Sequence, residues 1–235
     1  MGQGPRYAVF FVPAAKSDLY RFGSSVLGYD CYSGEAVARP CELADNEAEW
    51  RNLTDEPRRY GFHATIKAPF HLSPISTELQ LIEAVQSFAL SQHMMATIAP
   101  AIELLGGFAA LVPRQPEPCL EALAARCTIE LDSFRAPMAA QERGRRIAAG
   151  LSQAQIENLD RWGYPYVLEE FRFHMTLTGR VDRGRREAVL TELRQSFARR
   201  CGESKIPIDR LALLKQDGPQ TPFRMLTQAQ LSATR

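Results

Sequence analysis

The sequence has no C-x-x-C pair and only five cysteines, Cys31, Cys41, Cys119, Cys127 and Cys201, scattered over 235 residues. An odd number excludes a fully paired disulfide framework, and the spacing suits no zinc site; reduced thiols in a cytoplasmic protein are expected. Long apolar runs are also missing. Residues 7–12 are apolar but short, and Pro13 follows at once, so neither a signal segment nor a membrane span is expected. Net charge is nearly absent: Lys+Arg 28 against Asp+Glu 27 leaves +1, with no general pull toward nucleic acid or anionic lipid. Catalytic fingerprints are lacking as well. There is no P-loop and no Rossmann glycine pattern, and Gly23-Ser24-Ser25 does not complete a G-x-S-x-G elbow. H-E-x-x-H is absent, as is an acidic cluster suited to two metals, so neither a metal nor a cofactor is expected. What remains is an ordinary globular composition, 45% hydrophobic and 23% charged, long enough for one large domain or two small ones.

Against that plain background one pattern occurs twice. Phe62-His63-Ala64-Thr65-Ile66 and Phe173-His174-Met175-Thr176-Leu177 share an order: aromatic, histidine, apolar, threonine, aliphatic. If both are strands, side chains alternate between faces. His63, Thr65 and Lys67 then share one face, with Phe62, Ala64, Ile66 and Ala68 on the other. In the second copy Arg172, His174, Thr176, Thr178 and Arg180 line one face, opposite Phe173, Met175 and Leu177. One such strand is what any half-buried antiparallel sheet offers, because Thr favours strands and polar residues alternate with apolar ones. Two copies, drawn from only four histidines, point beyond sheet cosmetics.

The rest of the chain repeats an order around these copies. Residues 7–12 read as a buried strand and residues 17–27 as a helix stopped by Gly28. Residues 29–59 read as a charged loop. After the first His-x-Thr strand, which stops near Pro69, Thr77-Glu78-Leu79-Gln80 has capping-box spacing and Leu81, Ile82, Val85, Phe88 and Ala89 recur at helical period. A strand over about residues 97–105 closes this half. The second half opens with a strand at 108–112. A helix follows, with Leu120, Leu123, Ala124, Cys127 and Leu131 along one stripe. Residues 135–165 are extra material, carrying Arg143, Arg145, Arg146 and a capping box at Ser152. Then come the second His-x-Thr strand, a helix entered at Asp182, and a strand over 206–214. The reading is α+β: a single bilobal domain over residues 1–235, built as two pseudo-symmetric lobes. Each lobe is an antiparallel sheet with helices packed outside, and a central cleft carries the two His-x-Thr strands (motifs at 63–66 and 174–177).

Paired His-x-Thr strands in two such lobes resemble the 2H phosphoesterases, a superfamily that includes RNA-ligase-like cyclic phosphodiesterases. The longer strings Arg59-Tyr60-Gly61-Phe62-His63-Ala64-Thr65-Ile66-Lys67-Ala68-Pro69-Phe70, Trp162-Gly163-Tyr164-Pro165-Tyr166 and Phe171-Arg172-Phe173-His174-Met175-Thr176-Leu177-Thr178-Gly179-Arg180 are similar to a narrower bacterial branch associated with phosphonate utilisation. The resemblance spans nearly the whole chain. It implies a metal-independent phosphodiesterase with His63, Thr65, His174 and Thr176 as its catalytic set, and, on analogy alone, Tyr7, Lys215 and Arg224 along the cleft.

The chemistry also follows from the residues. Opening a cyclic phosphodiester needs a base for water and an acid for the departing alkoxide, and imidazole serves as either near neutrality. Threonine hydroxyls two residues on can donate to the non-bridging oxygens, where charge develops. The sequence does not assign base and acid between the two histidines. Lys67, Arg172, Thr178 and Arg180 are candidate substrate-binding residues, and Arg145 or Arg146 could be carried over an anionic substrate by a lid made of residues 135–165. His71 and His93 read as structural. The expected partner of a monomeric chain is a small phosphorylated substrate, a cyclic phosphoribosyl or nucleotide-like diester. RNA is less favoured, because no basic stripe interleaved with aromatics is present. The alternatives are an enzyme acting on 2′,3′-cyclic or 2′–5′ linked RNA ends, and a module that binds RNA or a phospho-ligand without turnover.

Overall fold

The structure is a computed structural model that describes residues 4–44, 46–93, 95–202 and 205–232. The first strand, β1 (Arg6–Phe11), is buried almost end to end, as its aromatic and β-branched composition requires. Helix α1 (Asp18–Leu27) is capped by the Ser17 hydroxyl and closed by Gly28 at φ 73°, a left-handed conformation that favours glycine.

Residues 29–59 depart from the expected loop. They form a short hairpin, β2 (Tyr29–Asp30) with β3 (Glu35–Ala36), then α2 (Cys41–Ala44) and the three-turn α3 (Glu47–Arg58). Helix α3 buries only Trp50, Thr54 and Pro57, at spacings of four and three. A stripe that narrow, in a strongly charged segment, leaves almost no apolar periodicity to read.

Strand β4 (Ala64–His71) carries the first motif and runs on through Pro69, past the expected stop. Helix α4 (Glu78–Leu90) has the capping box at Thr77 and Gln80. The expected strand over 97–105 is two strands, β5 (Ala96–Ile98) and β6 (Pro100–Leu105), separated by Ala99. After β7 (Phe108–Pro113) and α5 (Pro118–Glu130), the added segment folds as two helices, α6 (Ala140–Ile147) and α7 (Gln153–Trp162). It is zipped onto the end of β4 by Ser73 N–H to the Phe134 carbonyl (2.8 Å) and Ala136 N–H to the His71 carbonyl (2.8 Å). An Arg143–Asp160 ion pair joins α6 to α7. The second motif opens β8 (Met175–Arg180), followed by α8 (Arg186–Cys201). The strand expected over 206–214 is again two, β9 (Ile206–Ile208) and β10 (Arg210–Gln216), and an unanticipated β11 (Arg224–Gln230) pairs with β10.

The separate sheet expected for each lobe is replaced by one antiparallel sheet of seven strands, in the order β11-β10-β1-β4-β8-β7-β6. Its halves are related by exchange. Strand β6, from the end of the first half, pairs with β7 of the second, and β10, from the end of the second, pairs with β1 of the first. The leftover pieces β5 and β9 pair with each other, Ala96 opposite Ile208. No local pattern announces this exchange, because each strand's partner lies far away in sequence. Helix α4 packs on β10 and β11, α5 on β4, and α8 on β6 and α1. Among the described residues no helix is long and apolar enough to cross a membrane.

Candidate active site

The two motif strands are neighbours at the centre of the sheet, joined at one register pair, Ala64 opposite Met175. Continuing antiparallel register on either side of that pair sets His63 beside Thr176 and Thr65 beside His174. Alternation sends Ala64 and Met175, both fully buried, into the core and the four polar side chains to the other face. The expected residues are thus related by a local twofold through the Ala64–Met175 pair, although Thr65 and His174 are not among the residues lining the cavity at His63. His63 and Thr176 line one cavity of about 320 Å³, whose wall also includes Glu56, Tyr60, Phe108 and Arg180.

The two imidazoles are held alike. His63 Nδ1 lies 2.9 Å from the Gly61 carbonyl, and His174 Nδ1 lies 2.7 Å from the Arg172 carbonyl, each two residues back. A carbonyl only accepts, so each Nδ1 carries a proton and each Nε2 is left for chemistry. In His63, Nε2 faces the Thr65 hydroxyl at 3.2 Å. The turn that presents the Gly61 carbonyl needs φ 72°, and a β-carbon there would meet Cys31, so glycine is required twice over. Phe62, between Gly61 and His63, is fully buried with its ring against Gly23 of α1, which anchors the motif from below.

Their surroundings differ. The His63 ring stacks on Phe10 at 3.8 Å between centroids, with Tyr60 parallel at 6.0 Å. Burial pushes its pKa down from the ordinary 6.5 to about 4; the neighbouring His174 adds to this, while the Gly61 carbonyl opposes it. His174 instead meets the edge region of Phe108, at 5.7 Å and a 54° tilt, at the open side.

The accessory candidates separate. Arg180 lies on the cavity wall, near the Gly106 carbonyl. Thr178 reaches the same wall, but its hydroxyl accepts from Ala109 N–H (2.9 Å) and donates to the Gly179 carbonyl (2.8 Å). Lys67 is not on the face of His63 and Thr65. Phe10 pairs with Thr65 and Val9 with Lys67, so Ile66 is the extra residue of a β-bulge, and the bulge turns Lys67 to the opposite side. There it is buried, donating to the Thr128 carbonyl (3.0 Å) with Asp132 at 3.5 Å, and desolvation lowers its pKa. Arg172 precedes β8 and folds back on the Glu169 and Phe171 carbonyls (2.9 and 2.6 Å), away from the cavity.

Tyr7 and Lys215, expected along the cleft by analogy, meet at Glu78 of α4 (2.8 and 2.7 Å) on the same far side as Lys67. Arg224 bonds the Ser33 carbonyl. Arg146 lines a different cavity, beside α6, and Arg145 is exposed. His71 donates from Nδ1 to the Pro5 carbonyl (3.1 Å). Glu56 and Phe108 were missed: the first sits on the unrecognised α3, and the second reads as one more apolar residue opening a strand. In the sequence Phe10 is marked only as strand core. Among the described residues no group of three or more His, Cys, Asp or Glu side chains is placed to hold a metal ion.

Comparison with known proteins places this site in context. Two curated relatives, from Janthinobacterium sp. (strain Marseille) and Laribacter hongkongensis (strain HLHK9), are both named ribose 1,5-bisphosphate phosphokinase PhnN. They are 35% and 32% identical over 221 residues, covering 93% and 94% of this chain but 49% and 50% of the relatives. The chain thus spans about half the length of the curated relatives it matches, and it contains no P-loop fingerprint for a phosphokinase activity. Among solved structures, it is similar to E. coli LigT complexed with NADP+ (14% identity, TM-score 0.40, covering 98% of this chain and 99% of the other). It is also similar to a conserved protein of unknown function from Agrobacterium tumefaciens str. C58 (11% identity, TM-score 0.43, covering 95% and 85%). A protein-family model described as "Protein of unknown function (DUF1045)" matches residues 65–224, from the threonine of the first motif through the whole of the second. That match covers more than half of the chain, which belongs to the DUF1045 family.

Proposed function

We propose that this chain is a 2H-type phosphodiesterase that hydrolyses a small cyclic phosphodiester by two-histidine acid/base catalysis. The observation that carries this reading is the pair of imidazoles on adjacent strands, each fixed through Nδ1 by the carbonyl two residues back. Binding alone has no need of two titrating groups held in matching tautomers. His63, whose pKa lies well below neutrality, is the base: its Nε2 takes a proton from water while the water oxygen forms a bond to phosphorus. The opposite P–O bond of the ring breaks, and His174 Nε2–H protonates the departing alkoxide. The product is a phosphate monoester with a free neighbouring hydroxyl, and the proton count returns when His63 passes its proton back through solvent to His174. The Thr65 and Thr176 hydroxyls donate to the non-bridging oxygens. Arg180, on the cavity wall, binds substrate anion. No step calls for a metal.

The relatives' name supports a choice of substrate. Ribose 1,5-bisphosphate carries phosphates on O1 and O5, and opening a 1,2-cyclic phosphate of ribose 5-phosphate at its O2–P bond yields that molecule. A cyclic phosphoribosyl diester therefore fits a chain whose relatives are named for the product, and the Phn designation accords with the phosphonate-associated branch. A second reading, a 2′,3′-cyclic phosphodiesterase acting on RNA ends, draws on Tyr60 and Phe108, two rings in the cavity wall that a nucleobase could stack on. A panel of cyclic phosphates followed by phosphorus NMR tests both: ribose 1,2-cyclic phosphate 5-phosphate, the nucleoside 2′,3′- and 3′,5′-cyclic phosphates, and an oligonucleotide ending in a 2′,3′-cyclic phosphate. The sugar diester should have the highest kcat/KM. Preference for the oligonucleotide, weakening steeply with salt, would replace it with the RNA reading.

A further inference from the structure

Where the added segment docks on the end of β4 there is a second cavity of about 420 Å³, within the usual range for small-molecule sites. Its charged lining is unusual. Arg6 from β1, Arg135 from the start of the added segment and Arg146 from α6 converge on it with His71, against a single carboxylate, Glu142. The three arginines come from three separate parts of the chain, and like charges converge at a cost unless something answers them. Glu142 answers Arg146 (2.6 Å), and Asp132 answers Arg135 (2.8 Å) while also facing Lys67. Arg6 has no carboxylate partner among the described residues: its Nε and Nη2 share the neutral Gln216 Oε1 (2.7 and 2.5 Å), and its guanidinium lies over the Phe223 ring. Arg6, Arg135 and Arg146 in the lining, against Glu142 and with Asp132 behind Arg135, leave positive charge in excess.

We propose that this cavity is a second anion site, which takes a phosphate monoester. Arg6 Nη1, Arg135 Nη1 and Arg146 Nε have no hydrogen-bond partner among the described residues, and guanidinium edges match phosphate oxygens in geometry and charge. A dianionic monoester would offset the excess charge that the folded chain leaves there. The site communicates with the His-x-Thr cavity through aromatic rings: Arg6 over Phe223 at 5.7 Å, Phe223 stacked on Tyr60 at 5.3 Å, and Tyr60 parallel to His63 at 6.0 Å. Arg146 lies over Tyr164, at 5.8 Å, on the other flank. The bound phosphate is either the far end of a molecule whose diester sits at His63, or a separate phosphorylated molecule.

Calorimetric titration with ribose 5-phosphate tests the site without relying on turnover. Arg6→Gln and Arg146→Gln should each weaken binding at least about tenfold, the scale of a lost charged hydrogen bond. Glu142→Gln should tighten it, a gain that misfolding cannot mimic, and His174→Ala should leave it in place. Affinity unchanged in all three lining variants, or binding lost with His174→Ala alone, would overturn the proposal. Turnover then tells the two sources apart. An Arg146→Gln effect on KM confined to a diester with a second phosphate identifies the substrate's own far end. An effect of added ribose 5-phosphate on the wild-type rate that vanishes in Arg146→Gln identifies a separate molecule.

Discussion

His63 and His174 occupy matching places: each follows a phenylalanine, precedes a strand, and is fixed by the carbonyl two residues back. Their environments nevertheless diverge. His63 is pressed onto Phe10 and screened by Tyr60, and burial holds its pKa near 4. His174 stands at the open side against Phe108. A repeated motif supplies two equivalent groups, and the first half's packing lowers the pKa of one of them by burial. The asymmetry comes from β1, since Phe10 stands opposite Thr65 while the matching place on β7, opposite Thr176, carries the small Ala110.

The largest expected effect tests whether the two act as a unit. His63→Ala and His174→Ala should each lower kcat/KM by at least ~10²-fold with the fold retained, and the double variant should fall far short of the product of the two losses. Additive losses would mean two independent sites. Thr65→Ala and Thr176→Ala come next, at roughly 10²–10³-fold or below, the scale of one missing oxyanion donor, and mainly in kcat.

A smaller but more pointed effect concerns pH. With His63 as base, kcat/KM should fall on the acid side with a midpoint near 4, and Phe10→Ala, which opens the imidazole to water, should move that limb up toward 6.5. The same shift has a stability consequence. The folded pKa lies below the unfolded one, so the unfolded chain binds more protons, and stability contributed by neutral His63 is lost as pH falls from about 6.5 through about 4. Urea unfolding at the two ends of that window should show wild type losing more stability than His63→Ala does. The smallest effect on activity separates the two sides of the sheet. Lys67→Met should leave kcat/KM essentially unchanged yet lower stability by about 1–3 kcal/mol, since the buried Thr128 carbonyl loses its donor. Arg180→Ala should do the reverse and raise KM.

The same contrast explains what could be read from sequence. The His-x-Thr order needs only period-two alternation and short-range register, so the two motif strands were legible, as were the helices with strong caps, α1, α4 and α7. Lys67 was misplaced because the bulge at Ile66 breaks alternation just after the motif, and a bulge leaves no mark on the pattern of residue types. Thr178 has its hydroxyl taken by Ala109 N–H where β7 and β8 shift register between Phe108 and Ala110, which the residue pattern also does not mark. Helix α3 was hidden because three buried residues in a charged segment carry too little periodicity, and Glu56 was hidden with it. The exchange of β6 and β10 between halves is a matter of partner choice, which only tertiary packing decides.

The division of labour between two sequence-equivalent histidines is tested most directly by following both imidazole ring protons through a pH titration by NMR, assigned with the two alanine variants. The account predicts that His63 titrates near 4 and is still neutral at pH 6, and that its midpoint falls no further when His174 is replaced, since the neighbouring imidazole that lowers it is then gone. A His63 midpoint at or above 6.5 would contradict it, and with it the assignment of His63 as the base.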